Sequence, residues 1–180
     1  VDTGFSLPKE KLNRFPVKYR WGLDGKREIA EATATSTYLE KKPFLSGGGG
    51  LVGSTTDYLN FCQMILNDGD FDGKRLLSPK SVQLMRSNHI RDHVVPESGV
   101  PLGDGNGFGL GFLVNLDVPD TRQLGSPGTI GWLGVASTFY FIDPKEELIG
   151  LIMTQKLPTD IRILRDFKVA VYQSLIEISD

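Results

Sequence analysis

Apolar side chains concentrate in one segment of the second half of the chain, residues 128–155. Within it, residues 135–142 are rich in β-branched and aromatic side chains, which favour strands. A polar break at 143–147 separates them from residues 148–154, a nearly unbroken apolar run. Because this run lacks polar alternation, its strand is expected to be covered on both faces. The pattern therefore predicts a β-hairpin at the core of a sheet.

Helix start signals precede this hairpin at two places. Ser54 and Asp57 have the spacing of a capping box, and residues 67–69, Asn-Asp-Gly, are typical of a helix end. Ser78 and Pro79 suit the N-cap and the first position of a second helix. The apolar face of the first helix is predicted to hold Tyr58, Phe61, Cys62 and Ile65.

Alternation and helical spacing predict two further elements. Residues 108–116 carry an apolar side chain at every second position, which predicts one strand. Residues 160–178 repeat apolar side chains at helical spacing, which predicts a closing amphipathic helix on the sheet. Residues 9–45 give no clear element, and residues 91–106 are predicted to be a loop because of their prolines and glycines.

Composition and charge narrow the class of protein. A chain of 180 residues is long enough for one domain with a proper core. Lys and Arg total 20 against 22 for Asp and Glu, and no basic run exceeds two residues, so nucleic acid is not an expected partner. The apolar runs are far shorter than the ~20 residues of a membrane span. Cys62 is the single cysteine, which excludes a disulfide within the chain.

Two glycines flank a tryptophan just before the predicted hairpin, in the order Gly131-Trp132-Leu133-Gly134. Glycine in a strand often marks a place where a ligand or another backbone comes close. This stretch resembles the serine hydrolases related to class C β-lactamases and penicillin-binding proteins, nearest the family VIII carboxylesterases. In that family a Lys-Thr-Gly, His-x-Gly or Trp-x-Gly triplet opens an inner strand beside the active site, and Trp132-Leu133-Gly134 looks like this triplet.

The likeness extends over most of the chain. Residues 137–144 and 153–155 look like the strand, Asp-Pro turn and terminal Gln that follow the triplet in the family, and residues 46–66 look like its Gly-Gly-Leu and Asp-Tyr progression. The resemblance implies an α+β fold, an antiparallel sheet covered by helices that forms the C-terminal part of a β-lactamase-like fold. Residues 1–180 are then one incomplete domain. Residues 1–127 supply part of the helical region, loops and a first strand, and residues 128–180 the hairpin and closing helix.

The family's chemistry needs a nucleophilic Ser followed by a Lys one helical turn later, with help from a Tyr-x-Asn or Tyr-x-Ser triplet. Two segments match these motifs in residue type but not in their predicted structure: residues 6–9, Ser-Leu-Pro-Lys, and residues 58–60, Tyr-Leu-Asn. Pro8 disfavours helical backbone just before it, and Tyr58 lies on the apolar face of its predicted helix. The resemblance therefore implies that the nucleophile and the Tyr triplet lie upstream of Val1, and these 180 residues alone are expected to be inactive.

The resemblance also implies roles around the triplet. The residue after its glycine, here Val135, usually supplies a backbone N–H to the oxyanion hole. Trp132 would line the substrate cleft, and Gly134 would leave room for the substrate. Trp132 and Leu133 stand where β-lactamases have a cationic or imidazole residue and a hydroxyl or small residue, so nothing here would hold a substrate carboxylate. Neutral carboxylic esters are favoured over β-lactam or peptide amides.

Other chemistries find weak support. Residues 48–53 match the dinucleotide fingerprint without the buried strand that must precede it. His89 and His93 lack the Glu of the zinc-protease pattern and a third ligand. Cys62 is interpreted as a core residue and Asp143 as a turn former before proline. Neither a metal nor a cofactor is expected.

A second interpretation remains open, in which the chain is a non-catalytic fragment or a binding module that lacks the nucleophile. The expected partners are a small ester or amide substrate and the missing N-terminal half of the same protein. Absence of that half would bare one side of the sheet, so a dimer through the exposed sheet surface is a further alternative.

Overall fold

A computed structural model describes residues 2–90 and 102–179, so most of the predicted loop at 91–106 lies outside the described residues. The α-helices are α1 (Thr55–Leu66), α2 (Pro79–Arg86), α3 (Val118–Thr121) and α4 (Ile161–Tyr172), and 3-10 helices span Lys9–Arg14, Thr33–Thr35 and Thr37–Leu39. The strands are β1 (Lys18–Trp21), β2 (Arg27–Glu31), β3 (Asp70–Phe71), β4 (Lys74–Arg75), β5 (Asn106–Phe108), β6 (Leu113–Asn115), β7 (Ile130–Leu133), β8 (Phe139–Asp143), β9 (Leu148–Ile152) and β10 (Lys156–Leu157).

The main sheet has five strands in the order β5-β6-β7-β8-β9, and every pairing in it is antiparallel. The predicted hairpin is confirmed as β8 and β9, which place Asp143 opposite Leu148 on either side of the turn at residues 144–147. Antiparallel strands and covering helices together confirm the expected α+β fold.

Trp132 and Leu133 end a separate strand, β7, and Gly134 begins the turn after it, which corrects the prediction that the glycine-flanked Trp132 opens the first strand of the hairpin. Residues 134–138 form a turn between β7 and β8. The Gly134 N–H donates to the Thr138 carbonyl (2.8 Å), and the Ser137 N–H donates to the Gly134 carbonyl (3.0 Å). Ser137 has a φ of 58°, in the left-handed region. Strand propensity is a weak preference, and the turn's own hydrogen bonds override it here.

The single strand predicted at 108–116 is also wrong, because the chain reverses there between β5 and β6. Gly111 has a φ of 94°, a conformation that favours glycine and breaks the alternation. The Leu110 N–H donates to the carbonyl of Met85 near the end of α2 (2.9 Å). The two glycines of this stretch therefore mark a reversal docked against a helix.

Helices cover both faces of the sheet, as the unbroken apolar run predicts, since α1 and α4 both contact β9. On the α4 face, the Phe141 ring stacks on Tyr172 with centroids 5.3 Å apart. Each fully buried apolar side chain contributes roughly 1.5–3 kcal/mol to stability. The buried core on the other face, under α1 and α2, consists of Cys62, Met64, Ile65, Val82, Phe112, Val114, Ile130, Tyr140 and Ile142.

Side-chain caps begin α1 and α2, as predicted. The hydroxyl of Ser54 accepts from the Asp57 N–H (3.1 Å), and that of Ser78 accepts from the Ser81 N–H (3.0 Å). Each cap satisfies a backbone donor that would otherwise have no partner in the first turn, which is typically worth about 1 kcal/mol. These caps fix where each helix begins relative to the sheet.

The closing helix is shorter than predicted. α4 begins after its N-cap Asp160 and ends at Tyr172. Apolar spacing continues to 178, but Ile176 and Ile178 are exposed. A helical period stabilises a helix only where its apolar face is buried, so the pattern alone overestimated the length. None of the helices within the described ranges is long and apolar enough to cross a bilayer.

Residues 9–45 hold strands that the sequence pattern does not predict. β1 pairs antiparallel with β2 and parallel with β10, which makes a small second sheet. Its side chains include ion pairs, Lys18 with Glu31 (2.7 Å) and Arg20 with Glu28 (3.1 Å). β1 alternates charged and aromatic side chains over only four residues, and β2 has no such alternation, so the sequence signal for this pair of strands is short.

Asp143 forms the turn between β8 and β9, as predicted, and is fully buried. Its carboxylate accepts hydrogen bonds from the N–H of Lys145 in the turn (3.2 Å), the N–H of Ser126 (3.0 Å) and the hydroxyl of Tyr172 (2.6 Å). The Asp-Pro pair indicated the turn but not the other two contacts. The carboxylate thus joins the hairpin, the segment before β7 and the end of α4.

Replacing this carboxylate is expected to destabilise the fold. Asp143→Asn replaces one carboxylate oxygen, which accepts a hydrogen bond, with an NH₂ group, which cannot. Each buried hydrogen bond to a charged group contributes about 1.5–3 kcal/mol to the free energy of unfolding. We expect urea unfolding to show a loss of about 2–3 kcal/mol. Asp72→Asn, at an exposed turn position with a φ of 53°, is the matched control and should change the free energy of unfolding by less than ~0.5 kcal/mol. Equal effects of the two variants would contradict the role of Asp143.

Candidate active site

The pleat of β7 sends its last two side chains, those of Trp132 and Leu133, to opposite faces of the sheet. Trp132 lies opposite Tyr140 in the register with β8, and Leu133 lies opposite Phe139. Residues paired across strands share a face and neighbours along a strand do not. Since Tyr140 belongs to the core under α1, the indole of Trp132 faces α1 and the side chain of Leu133 faces α4.

Trp132 is half-buried and belongs to a set of aromatic side chains. Its indole meets the Phe108 ring edge-on, with centroids 5.2 Å apart. On the same face, the rings of Tyr58 and Tyr140 lie 5.0 Å apart. Burial raises the pKa of both tyrosines, so neither supplies a phenolate near neutral pH. Tyr58 keeps 37% of its surface exposed, so it is an aromatic packing residue at the rim of the core.

Val135 follows the triplet in the turn after β7, and 69% of its surface is exposed. Its backbone N–H has no acceptor among the described residues, whereas the Gly134 N–H is bonded to Thr138. A side chain at Gly134 would strike the hydroxyl of Thr138, so glycine keeps this turn narrow. Among the described residues, the Val135 N–H is thus the first backbone donor after β7 without an acceptor, and the next one is the Ala136 N–H.

Hydrogen bonds from distant residues fix this turn against the start of α4. Ser137 is fully buried; its hydroxyl donates to the Lys156 carbonyl (3.1 Å) and accepts from the Asp160 N–H (2.8 Å). Thr159 donates to the Gly134 carbonyl (3.2 Å). Sequence reasoning missed these residues, and small hydroxyl side chains at strand ends are the only signal for them. A donor on a turn held in this way is pre-organised.

The charges near the turn are paired with one another. Asp160 forms ion pairs with Arg162 (2.9 Å) and Lys156 (3.1 Å). Hydrogen bonds from Arg162 and then Lys156 hold the pKa of Asp160 well below its usual range. Because this carboxylate occupies both cations, neither is a ready partner for a substrate carboxylate. The triplet itself brings no charge.

A cavity of about 230 Å³ lies on the opposite, α4-facing side of β7. Leu133 borders it together with Phe139 and Phe141 of β8 and Leu164 of α4. Backbone around Trp132 also borders it, but the pleat assigns the indole to the other face. The four residues predicted as a substrate and oxyanion site are therefore contiguous along the chain, but their side chains divide between two faces.

Ser6 and Lys9, which match the nucleophile motif in sequence, do not have its helical arrangement in the structure. Ser6 is exposed and lies in a bend before the 3-10 helix that begins at Lys9, so the two do not share a helical turn. Cys62 is buried in the core, and burial raises the pKa of its thiol to about 12. A thiol held protonated in this way is a poor nucleophile. Neither side chain therefore has the surroundings that activate a nucleophile.

The structure gives no support to a metal or nucleotide site. Nε2 of His89 lies 2.8 Å from the carbonyl of Leu84, and His93 is outside the described residues. Within residues 2–90 and 102–179, no three His, Cys, Asp or Glu side chains are grouped to hold a metal. The glycines at 48–53 follow an irregular segment rather than a buried strand.

Comparison with known proteins decides the family. A sequence model of the Beta-lactamase family matches residues 2–173. The chain belongs to the Beta-lactamase family. Protein Rv1367c of Mycobacterium tuberculosis is 36% identical over 163 residues, which are 88% of this chain and 40% of that protein. The chain therefore spans well under half the length of this curated relative.

Solved structures share the fold of this family member. EstCE1, a hydrolase with promiscuous acyltransferase activity, matches with a TM-score of 0.78 and 24% identity, covering 96% of this chain and 46% of EstCE1. Simvastatin synthase LovD from Aspergillus terreus matches with a TM-score of 0.77 and 21% identity, covering 98% and 48%. These likenesses confirm the expected β-lactamase-like fold.

Proposed function

We propose that this chain is the C-terminal portion of a β-lactamase-like serine hydrolase that cleaves carboxylic esters through an acyl-enzyme. The free N–H of Val135, on a turn fixed to α4, is the observation that carries the proposal. A serine hydroxyl attacks the ester carbonyl and gives its proton to a general base, and the alcohol leaves with a proton. Water then releases the acid and restores the serine.

In this mechanism Val135 donates to the oxyanion that forms on the carbonyl oxygen. A donor that is already oriented needs no reorganisation when charge develops, and removing one costs about 3 kcal/mol of transition-state stabilisation. Trp132 is proposed to line the substrate cleft of the complete protein, and Gly134 to let the substrate pass close to the strand. These roles for residues 132–135 are part of the proposal.

Electrostatics support a neutral ester over a β-lactam. Trp132 and Leu133 carry no charge, and Asp160 pairs with the nearby Lys156 and Arg162. A carboxylate-bearing substrate would therefore be desolvated at the triplet without a charged partner there. An uncharged acyl group has no such penalty, and the aromatic side chains of Trp132 and Phe108 suit it.

The nucleophile is proposed to come from polypeptide upstream of Val1. Among the described residues β9 pairs with β8 alone, so its outer edge has free backbone groups. An unpaired strand edge is a template for another strand, and the missing N-terminal half of the protein would supply one. A chain that lacks the nucleophile would otherwise serve only as a binding module.

Covalent labelling tests this assignment directly. The 180-residue chain should neither react with a fluorophosphonate probe nor hydrolyse p-nitrophenyl butyrate, because Ser6 and Tyr58 are not placed for catalysis. The chain joined to its native upstream sequence should do both. Labelling of the short chain would overturn the assignment of the nucleophile. No labelling of the longer protein would favour the binding module.

A proline substitution isolates the oxyanion donor in the active, longer protein. Val135 is the second residue of the turn closed by the Ser137 N–H and the Gly134 carbonyl, where proline is favoured. Val135→Pro removes the N–H, and we expect kcat for p-nitrophenyl butyrate to fall about 100- to 1,000-fold with the fold intact. Val135→Ala keeps the N–H and should stay within a few-fold of the parent. Similar kcat values for the two variants would contradict the role.

A further inference from the structure

The cavity on the α4 face contains buried polar groups that the fold leaves without partners. Asn115 on β6 is 6% exposed, and neither its Oδ1 nor its Nδ2 has a hydrogen-bond partner among residues 2–90 and 102–179. Leaving such an amide unpaired is destabilising, because each buried polar group has lost its hydrogen bond to water without gaining another. Asn115 borders the cavity, so a ligand there that accepts hydrogen bonds would supply the missing partner of Nδ2.

A buried cation borders the same cavity. Lys168 of α4 is 9% exposed, and its ammonium lies 5.6 Å from the centroid of the Phe141 ring. Across the portion of the chain that the structure covers, Lys168 makes neither a hydrogen bond nor an ion pair. Burial lowers its pKa, while the carboxylate of Asp143 acts in the opposite direction. That carboxylate is already bonded to Ser126 and Tyr172.

The lining of the cavity gives the sign of the ligand's charge. Its described residues include two cations, Lys168 and Arg165, and no carboxylate. An anion in the cavity would therefore meet two cations and no carboxylate in the lining itself, although the buried Asp143 carboxylate also acts on Lys168. Arg165 is exposed at the outer side of α4, and Lys168 is buried. The charged end of the ligand is thus expected beside Lys168.

The remaining walls and the size of the cavity define the rest of the ligand. Leu113, Leu133, Phe139 and Leu164 give it an apolar lining. At about 230 Å³ it is smaller than the ~300–1,000 Å³ of pockets for drug-sized molecules. A short hydrocarbon tail fits such a space, and a large ring system does not.

The geometry points to a second binding site, between β6, β7 and α4, for a small monocarboxylate with an aliphatic tail. The carboxylate accepts from the Nδ2 of Asn115 and the ammonium of Lys168, and the tail lies against the leucine and phenylalanine side chains. The pleat of β7 separates this site from the proposed acyl-transfer site by one sheet thickness. The inference does not depend on ester hydrolysis.

The site is tested on the unmodified protein by titration with three ligands that have the same eight-carbon chain and differ in the polar head group. By calorimetry, octanoate should bind saturably with one-to-one stoichiometry, and 1-octanol and octylamine should bind at least tenfold more weakly. Amide NMR shifts should occur at Asn115 and along α4 rather than at Tyr58 and Cys62. Absence of saturable binding, equal affinity for the alcohol, or shifts confined to the α1 face would overturn the inference.

Two variants separate binding from folding. Lys168→Met keeps the length of the side chain and should weaken octanoate binding at least tenfold, while Lys145→Met, at an exposed position, should not change it. Asn115→Leu removes the unpaired amide, so the protein should become more stable to urea and yet bind octanoate more weakly. Unchanged affinity in a folded Lys168→Met or Asn115→Leu protein would contradict the site.

The same titration on the protein with its native upstream sequence shows whether the cavity is open to a ligand or is filled by the upstream polypeptide. Retained octanoate affinity is the expected result. Loss of binding in that longer protein would mean that its own polypeptide fills the cavity, and the inference would fail.

Discussion

The antiparallel pairing of β7 with β8 is the constraint on which the site geometry depends. It sets Trp132 opposite Tyr140 and Leu133 opposite Phe139, so successive side chains of the triplet face different helices. A shift of one residue in this register would exchange the two faces. The register thus decides that the indole meets the aromatic side chains under α1, and that Leu133 borders the cavity under α4.

The turn after β7 continues this register and carries the backbone donor of the proposed site. Its backbone is held by Ser137 and Thr159, which bond to segments far along the chain, so the Val135 N–H is presented by a rigid element. Rigid placement is what makes a backbone donor effective toward developing negative charge. Asp160 pairs with the neighbouring cations, which is why we propose an uncharged substrate.

Sequence patterns predicted those parts of the fold in which local signals and burial agree. The capped helices after Ser54 and Ser78 and the hairpin around Asp143 are confirmed. The patterns failed where long-range contacts decide the structure. The reversal at Gly111 depends on docking against Met85, and β1 pairs in parallel with β10, more than 130 residues along the chain. Buried polar residues such as Asn115 and Lys168 have no periodic signature at all.

The central claim is that the Val135 N–H binds the oxyanion of the acyl-transfer reaction. A crystal structure of the longer protein, with its upstream sequence, after reaction with a phosphonate ester that mimics the tetrahedral intermediate tests it most directly. The account predicts a phosphonyl oxygen about 3 Å from the Val135 nitrogen, with the phosphorus bonded to an upstream serine. A phosphonyl oxygen bound by other donors, with the Val135 N–H facing solvent, would contradict the account.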